Sequence, residues 1–305
     1  MLNIIGKKNW YFTVSLLAIV PGIVALFMWG LNLSIDFTGG SRMTFLYPNT
    51  VSEEQLNEMK TVLAGEKITI VTTQISEQRL IVRTKELDEK QNAQVIATLE
   101  KQNKQIQQES FETIGPVIGK EITINAFKAM GVASLLIVLY IAWAFRQVPK
   151  PLSSWRFGIC TIIALVHDAL FVIGVFAILG HFFNVEIDNL FVTALLTVAG
   201  FSVHDTIVVF DRIRENLRRT TGLPFAQVVN DSILQTMVRS LNTSLTTILV
   251  LFTLLLFGGE SIRWFVVALL LGVISGTYSS IFNAAPLLVL WDELDAKRRA
   301  KKSKA

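Results

Sequence analysis

The sequence predicts a polytopic α-helical membrane protein, six transmembrane helices with one small α+β domain inserted after the first. Composition is the first ground: hydrophobic residues make up 51% of the 305-residue chain and charged ones 17%, above and below the shares of ordinary globular domains. The second is clustering, because the apolar residues gather into long runs instead of spreading periodically over short elements. The third is a polar stretch at 36–121 that interrupts those runs.

A span needs roughly 20 mostly apolar residues to cross the hydrocarbon. Six segments qualify, at about 11 to 31, 126 to 146, 156 to 179, 189 to 210, 240 to 257 and 264 to 290. Lys7 and Lys8 precede the first span, Arg146, Lys150 and Arg156 lie between the second and third, and Arg212, Arg214, Arg218, Arg219 and Arg239 between the fourth and fifth. All of these alternate onto one side with the tail cations Lys297, Arg298, Arg299, Lys301, Lys302 and Lys304. The opposite short loops hold Glu186, Asp188 and Glu260, with Arg263 as their one cation. Cations concentrate on cytoplasmic loops, so both termini are expected in the cytoplasm and 36–121 on the periplasmic side of a bacterial plasma membrane. The net charge of +4 comes largely from the tail and points to membrane lipid, not to nucleic acid. The first run has the basic start and apolar core of a signal peptide, but its length and the lack of an A-x-A site predict a retained helix.

Four regions follow: 1–35, the N-terminus and first helix; 36–121, the periplasmic domain; 122–291, a five-helix bundle; and 292–305, a basic cytoplasmic tail. Within the domain, alternation around Val71 and Ile81 predicts strands near 42–47, 67–75, 78–84 and 106–114, with helices at 52–64 and 88–102. That βαββαβ order is ferredoxin-like. Ser52 with Gln55 three residues on marks a helix start by a capping box. Cys160, the only cysteine, lies in an apolar run as a small core residue and leaves no disulfide or cysteine metal site.

Ionisable residues inside a membrane are costly and mark either function or a buried structural pair. Asp168, beside His167 in the third span, fits either reading. Asp205 in the fourth span is the stronger candidate for binding and releasing a proton, and the same reasoning extends to its neighbour His204. Asp211, with Arg212 and Arg214, sits at the basic boundary and reads as solvated or arginine-paired. On the fifth span Arg239, Asn242, Thr243, Thr246, Thr247 and Thr253 share one helical face. That stripe serves interhelical hydrogen bonding or a hydrated path, and the alternative reading of Arg239 is snorkelling to the cytoplasmic interface. Gly272, Gly276 and Ser280 recur every four residues, a packing stripe, and Pro286 is expected to kink the last helix.

Enzyme signatures are missing. Gly115, Gly119 and Lys120 are one residue short of a phosphate loop, and neither H-E-x-x-H nor G-x-S-x-G occurs. The chain is expected to be no enzyme, to bind no metal or cofactor, and to draw any work from a gradient or a partner. No internal repeat is visible, although many transporters pair two similar halves, so a partner chain is expected.

Several motifs resemble a known family. Asp36, Phe37, Thr38, Gly39 and Gly40 follow the first helix as D-F-T-G-G; Gly115, Pro116, Gly119, Lys120 and Glu121 enter the second; His167 and Asp168 form an H-D pair. Ser202–Asn216 (S-V-H-D-T-I-V-V-F-D-R-I-R-E-N), Arg239–Thr247 (R-S-L-N-T-S-L-T-T) and Gly276–Pro286 (G-T-Y-S-S-I-F-N-A-A-P) complete the pattern. Over nearly its whole length the chain resembles the SecF family, subunits of SecDF protein-export complexes within the resistance-nodulation-division superfamily. It departs at Ser34, where glycine is usual, and at Asn283, where an apolar residue is usual.

The resemblance implies a subunit that pairs with SecD beside the SecYEG translocon and uses the proton gradient to assist a translocating preprotein from the periplasmic side. It assigns proton conduction to Asp205 and Arg239, and protonation of Asp205 would weaken its attraction to Arg239 and repack the helices. Two other readings fit the buried charges: a proton-coupled efflux or lipid transporter, disfavoured by the single six-helix unit, and a structural assembly factor.

Overall fold

Every long hydrophobic run becomes a helix. The computed structural model describes residues 2–102, 106–146, 153–219 and 222–302; Lys150 and Lys304 lie outside them, as do the side chains of Lys301 and Lys302. Among the described residues six helices are long and apolar enough to cross a membrane: Ile5–Trp29, Pro116–Ala144, Ser154–Phe183, Asn189–Arg219, Phe225–Phe257 and Glu260–Ala300. The chain divides into two compact units, one of Met1–Leu31, Ala129–Val185 and Leu190–Ala305, the other of Asn32–Lys128 and Glu186–Asn189.

In the first unit α1 (Lys8–Trp29) packs on α6 (Ser154–Phe183), and α6 packs on α9 (Arg263–Ser279). α7 (Asn189–Arg219) and α8 (Phe225–Phe257) extend well past the expected span limits at 210 and 240. Helical hydrogen bonding continues into polar sequence, which hydropathy does not register. The core at one end of the bundle is aromatic: Phe157 stacks on Phe145 at 5.2 Å between centroids and meets Phe210 edge-on at 5.0 Å. Cys160 is fully buried in the same cluster, as its sequence context predicts.

Backbones approach where glycine permits. A Cβ at Gly272 would lie 2.1 Å from Val198 Cγ2, and one at Gly276 3.0 Å from Ser202 Cβ, so the small-residue stripe of α9 is where α7 fits. A π-helical segment, Ser280–Ala284, joins α9 to α10 (Ala285–Lys302). Pro286 lacks the N–H that an α-helix would use there and its ring crowds the carbonyl four residues back; the wider π turns just before it absorb that conflict without breaking the helix. Asn283, the departure from an apolar residue, is buried and exchanges two hydrogen bonds with Ser15 of α1, at 3.0 and 2.8 Å.

The second unit has the short helix α2 (Ile35–Thr38), then β1 (Gly40–Leu46), α3 (Glu53–Gly65), β2 (Ile70–Ser76), β3 (Arg79–Thr84), α4 (Glu89–Gln102) and β4 (Gln107–Ile114), before the start of α5 (Pro116–Ala144). The sheet order is β2-β3-β1-β4 with every neighbour antiparallel. Alternation along β1 buries Met43, Phe45 and then Tyr47 against Leu56, Met59 and Leu63 of α3 and Val95 of α4. Ser52 and Gln55 form the expected capping box, and Asp88 and Gln91 form a second one.

Candidate functional site

Asp168 is a buried acid bonded through both of its carboxylate oxygens. It is 1% exposed and takes hydrogen bonds from Ser275 (2.6 Å, to Oδ1), Ser202 (2.6 Å, to Oδ2) and Ser279 (2.7 Å, to Oδ2). His167 Nδ1 lies 3.0 Å from Oδ1, and His167 Nε2 is buried without a partner among the described residues. Both carboxylate oxygens are thus doubly engaged, and one side chain ties α6 to α7 and α9. This arrangement favours the structural pairing that the sequence left open. A mostly apolar cavity between α5, α6 and α7 borders Asp168 and Ser202, with Ser134 on its wall.

Asp205 lies one turn of α7 further on, 3% exposed. Its Oδ2 is 3.5 Å from Ser244 Oγ on α8, at the limit of a hydrogen bond, and Ser244 in turn meets Thr277 Oγ1 of α9 at 2.6 Å. Ser240, one turn before Ser244, is 1% exposed and its hydroxyl has no partner among the described residues. Asp205 therefore has one long hydroxyl contact and no ion pair among the described residues, whereas both oxygens of Asp168 are engaged. Thr206, next to Asp205, bonds Ser280 at 2.9 Å and closes the α7–α9 seam.

The structure does not bring Asp205 and Arg239 together: Arg239 is exposed on α8 and forms no ion pair among the described residues. His204 is exposed as well. The threonine stripe also falls on the outer surface of α8. Thr243, Thr246, Thr247 and Thr253 give their hydroxyls to carbonyls of their own helix, at Arg239, Thr243, Thr243 and Leu249. The buried polar face is Thr236, Ser240 and Ser244, which sequence reasoning missed. Its i, i+4 spacing was readable, but serines in an apolar helix carry little hydropathic signal.

Asp211 is exposed and paired with Arg214 at 2.5 Å, while Arg212 bonds Glu215 and Gln235. In the second unit the D-F-T-G-G residues have backbone and capping tasks. Asp36 Oδ2 accepts from the backbone N–H of Asn189, the first residue of α7, at 2.9 Å, favourable charge at a helix N-terminus. Gly39 and Gly40 have φ of +70° and +115°, and a Cβ on Gly40 would stand 2.6 Å from Thr84 O. A Cβ on Gly119 would stand 2.9 Å from Gly39 N, so these two glycine motifs serve one close approach of backbones. Ser34 has φ −72°, needs no glycine, and caps α2 by accepting from Asp36 N. Arg83, 6% exposed, binds Leu33 O, Thr38 Oγ1 and Glu186 Oε1, a buried clamp absent from the sequence reading.

Among the described residues no group of three or more His, Cys, Asp or Glu is placed to hold a metal ion.

Comparisons with known proteins agree on one family. The family described as "Protein export membrane protein SecD/SecF, C-terminal" matches residues 94–294, and the "SecD/SecF GG Motif" matches 24–47. The chain is 45% identical over 309 residues to protein translocase subunit SecF of Thermobaculum terrenum, covering 98% of this chain and 96% of that protein. It is 33% identical to protein translocase subunit SecDF of Bacillus subtilis, covering 96% of this chain but 38% of that longer one. The crystal structure of SecDF from Thermus thermophilus, described as a translocon-associated membrane protein, superposes with a TM-score of 0.79 at 34% identity, over 96% of this chain and 39% of that one.

Proposed function

The chain belongs to the SecD/SecF family of protein-export membrane proteins, and from that premise we propose that it pairs with a SecD subunit beside a SecYEG-type channel and uses the proton gradient to assist preprotein translocation, with Asp205 as the proton-binding group. One observation carries the choice of Asp205. It is a buried carboxylate whose one hydroxyl contact, to Ser244, is long and which forms no ion pair among the described residues, whereas both carboxylate oxygens of Asp168 are engaged by short hydrogen bonds from serine hydroxyls. A group that must exchange a proton needs a loosely held charged form; a structural one does not.

Relatives in which a SecF-like region makes up 38% to 40% of a longer SecDF chain support a SecD partner. The alternation of cations and acids across the loops supports cytoplasmic termini and a periplasmic domain at 36–121. The sheet order β2-β3-β1-β4 supports the ferredoxin-like description of that domain. The reading assigns no catalytic residue and no cofactor other than the proton. Arg239 stands open in this arrangement, so the coupling cycle requires it to approach Asp205, or a partner's acid, in a second state.

The test is reconstitution of the complex in proteoliposomes with an imposed proton gradient. Asp205→Asn and Arg239→Met are each expected to abolish gradient-stimulated export and proton flux while leaving the complex assembled. Retention of both activities in both variants would overturn the proposal.

A further inference from the structure

Asp168 and Asp205 are both reached from one helix. Ser275 and Ser279, one turn apart on α9, donate to Asp168. Thr277 between them points about half a turn away and meets Ser244 of α8, which in turn reaches Asp205. Thr277 Oγ1 also lies 2.8 Å from the carbonyl oxygen of Val273, four residues back on α9. A hydroxyl carries one proton to donate and two lone pairs with which to accept. Thr277 therefore cannot donate to Ser244 and to Val273 at once, and the direction of the chain is set by the group at its end.

That group is Asp205. As a carboxylate it only accepts, so Ser244 donates to it, Thr277 donates to Ser244, and the Val273 carbonyl loses its side-chain donor. As a carboxylic acid it can itself donate to Ser244; Ser244 then donates to Thr277, and Thr277 donates to Val273. We propose that Ser244 and Thr277 form a reversible hydroxyl relay through which α9 reads the protonation state of Asp205, the two residues acting as positioning residues for proton coupling.

The relay ends where a helix can respond. A threonine hydroxyl bonded to the carbonyl four residues back tends to bend its helix, so reversal of the chain adds or removes a bending contact at Val273. One face of α9 is fixed to Asp168 by two bonds, which provides a fulcrum. Its C-terminal end runs directly into the π-helical Ser280–Ala284 segment, whose bonding pattern is an exception within α-helices and is commonly found at functional sites. Ser280, the first residue of that segment, contacts Thr206 Oγ1 and Ser202 O of α7, the helix that carries Asp205.

The charged and titratable groups nearby do not enter the chain. His204 on α7 and Arg239 on α8 are exposed, and on α6 His167 and Asp168 engage each other. Ser240 is the remaining buried hydroxyl on the Asp205 side and has no partner among the described residues.

This inference rests on Asp205 being the proton-binding group. The test uses the assembled complex in proteoliposomes with three readouts: proton uptake, gradient-stimulated export, and the infrared carboxylic-acid band that disappears in Asp205→Asn. Thr277→Val keeps shape and removes the hydroxyl. It is expected to lower gradient-stimulated export about fivefold, the equilibrium value of one neutral hydrogen bond, with the acid band retained, and Thr277→Ser is expected to restore export. Ser244→Ala is expected to lower export likewise and to move the acid band to the frequency of an unbonded acid, which a packing role would not do. The relay is overturned if Thr277→Val exports normally, if Thr277→Ser fails as badly as Thr277→Val, or if Ser244→Ala leaves the band in place. Should Thr277→Val not assemble, the band in Ser244→Ala decides. If Asp205→Asn leaves proton uptake and export unchanged, the proton-binding assignment itself has failed, an outcome separate from the relay.

Discussion

Gly22 of α1 and Gly174 of α6 face each other backbone to backbone: a Cβ on Gly22 would stand 2.7 Å from Gly174 Cα, and one on Gly174 2.6 Å from Gly22 Cα. No side chain separates the first span from the third at this point, and neither backbone can yield without shifting its helix. Gly174→Leu should force the helices apart and cost about 1–3 kcal/mol through overpacking. Thermal unfolding of the purified chain in detergent, with Gly131→Leu as a control at a site open to 4 Å, measures the difference. Equal unfolding temperatures would refute the contact.

Asp168 should behave as a structural acid. Asp168→Asn keeps the volume but presents an amide N–H₂ where hydroxyls already donate, so at least one donor among Ser202, Ser275 and Ser279 loses its acceptor. The expected loss is about 1–3 kcal/mol, the cost of a buried polar group left unpaired, read as a lower unfolding temperature. A variant that unfolds like the wild type but no longer takes up protons would instead make Asp168 a second coupling site.

Gly40 cannot accept a side chain. Gly40→Ala places a methyl group 2.6 Å from Thr84 O at a φ of +115°, a strained conformation costing about 1–3 kcal/mol. Limited proteolysis of the full chain should cut within 41–114 faster in this variant. Gly65→Ala, which meets nothing within 4 Å, should be cut at the wild-type rate.

Tyr47 gives the domain an alkaline limit. Burial of the phenol, with the charge of Glu58 as a smaller cause, pushes its pKa up to about 12. The folded state therefore holds the proton more tightly than the unfolded chain, whose phenol titrates near 10. Its contribution to stability is full below about pH 10 and is lost as the pH climbs toward about 12. Tyr47→Phe should remove that part of the alkaline destabilisation, measured by urea unfolding at pH 9 and pH 11. An unchanged difference between the two pH values would exclude Tyr47 as the source.

Much of the fold was legible before any coordinates. The βαββαβ order and the capping box at Ser52 are local features, carried by alternation and by a serine three residues ahead of a glutamine. The ion pairs Asp211–Arg214 and Arg212–Glu215 are local in the same way, each closing within one turn of α7. The polar stripe of α8 and its buried Thr236, Ser240 and Ser244 face could not be told apart in sequence, because periodicity says which residues share a face but not which face turns inward. In water an apolar face must be covered; in lipid the surroundings are as apolar as the core, so that rule gives no direction.

The sequence by itself determined six membrane helices, a small α+β domain after the first, and the family, because hydropathy, alternation and contiguous motifs are properties of neighbouring residues. Tertiary structure alone decided which polar groups meet. Asp168 gathers serines from positions 202, 275 and 279, Asn283 finds Ser15, and Asp205 faces Ser244 while Arg239 stands apart. Those pairings depend on how separate helices rotate against one another, and that rotation is set by close packing at glycine and serine positions distant in the chain.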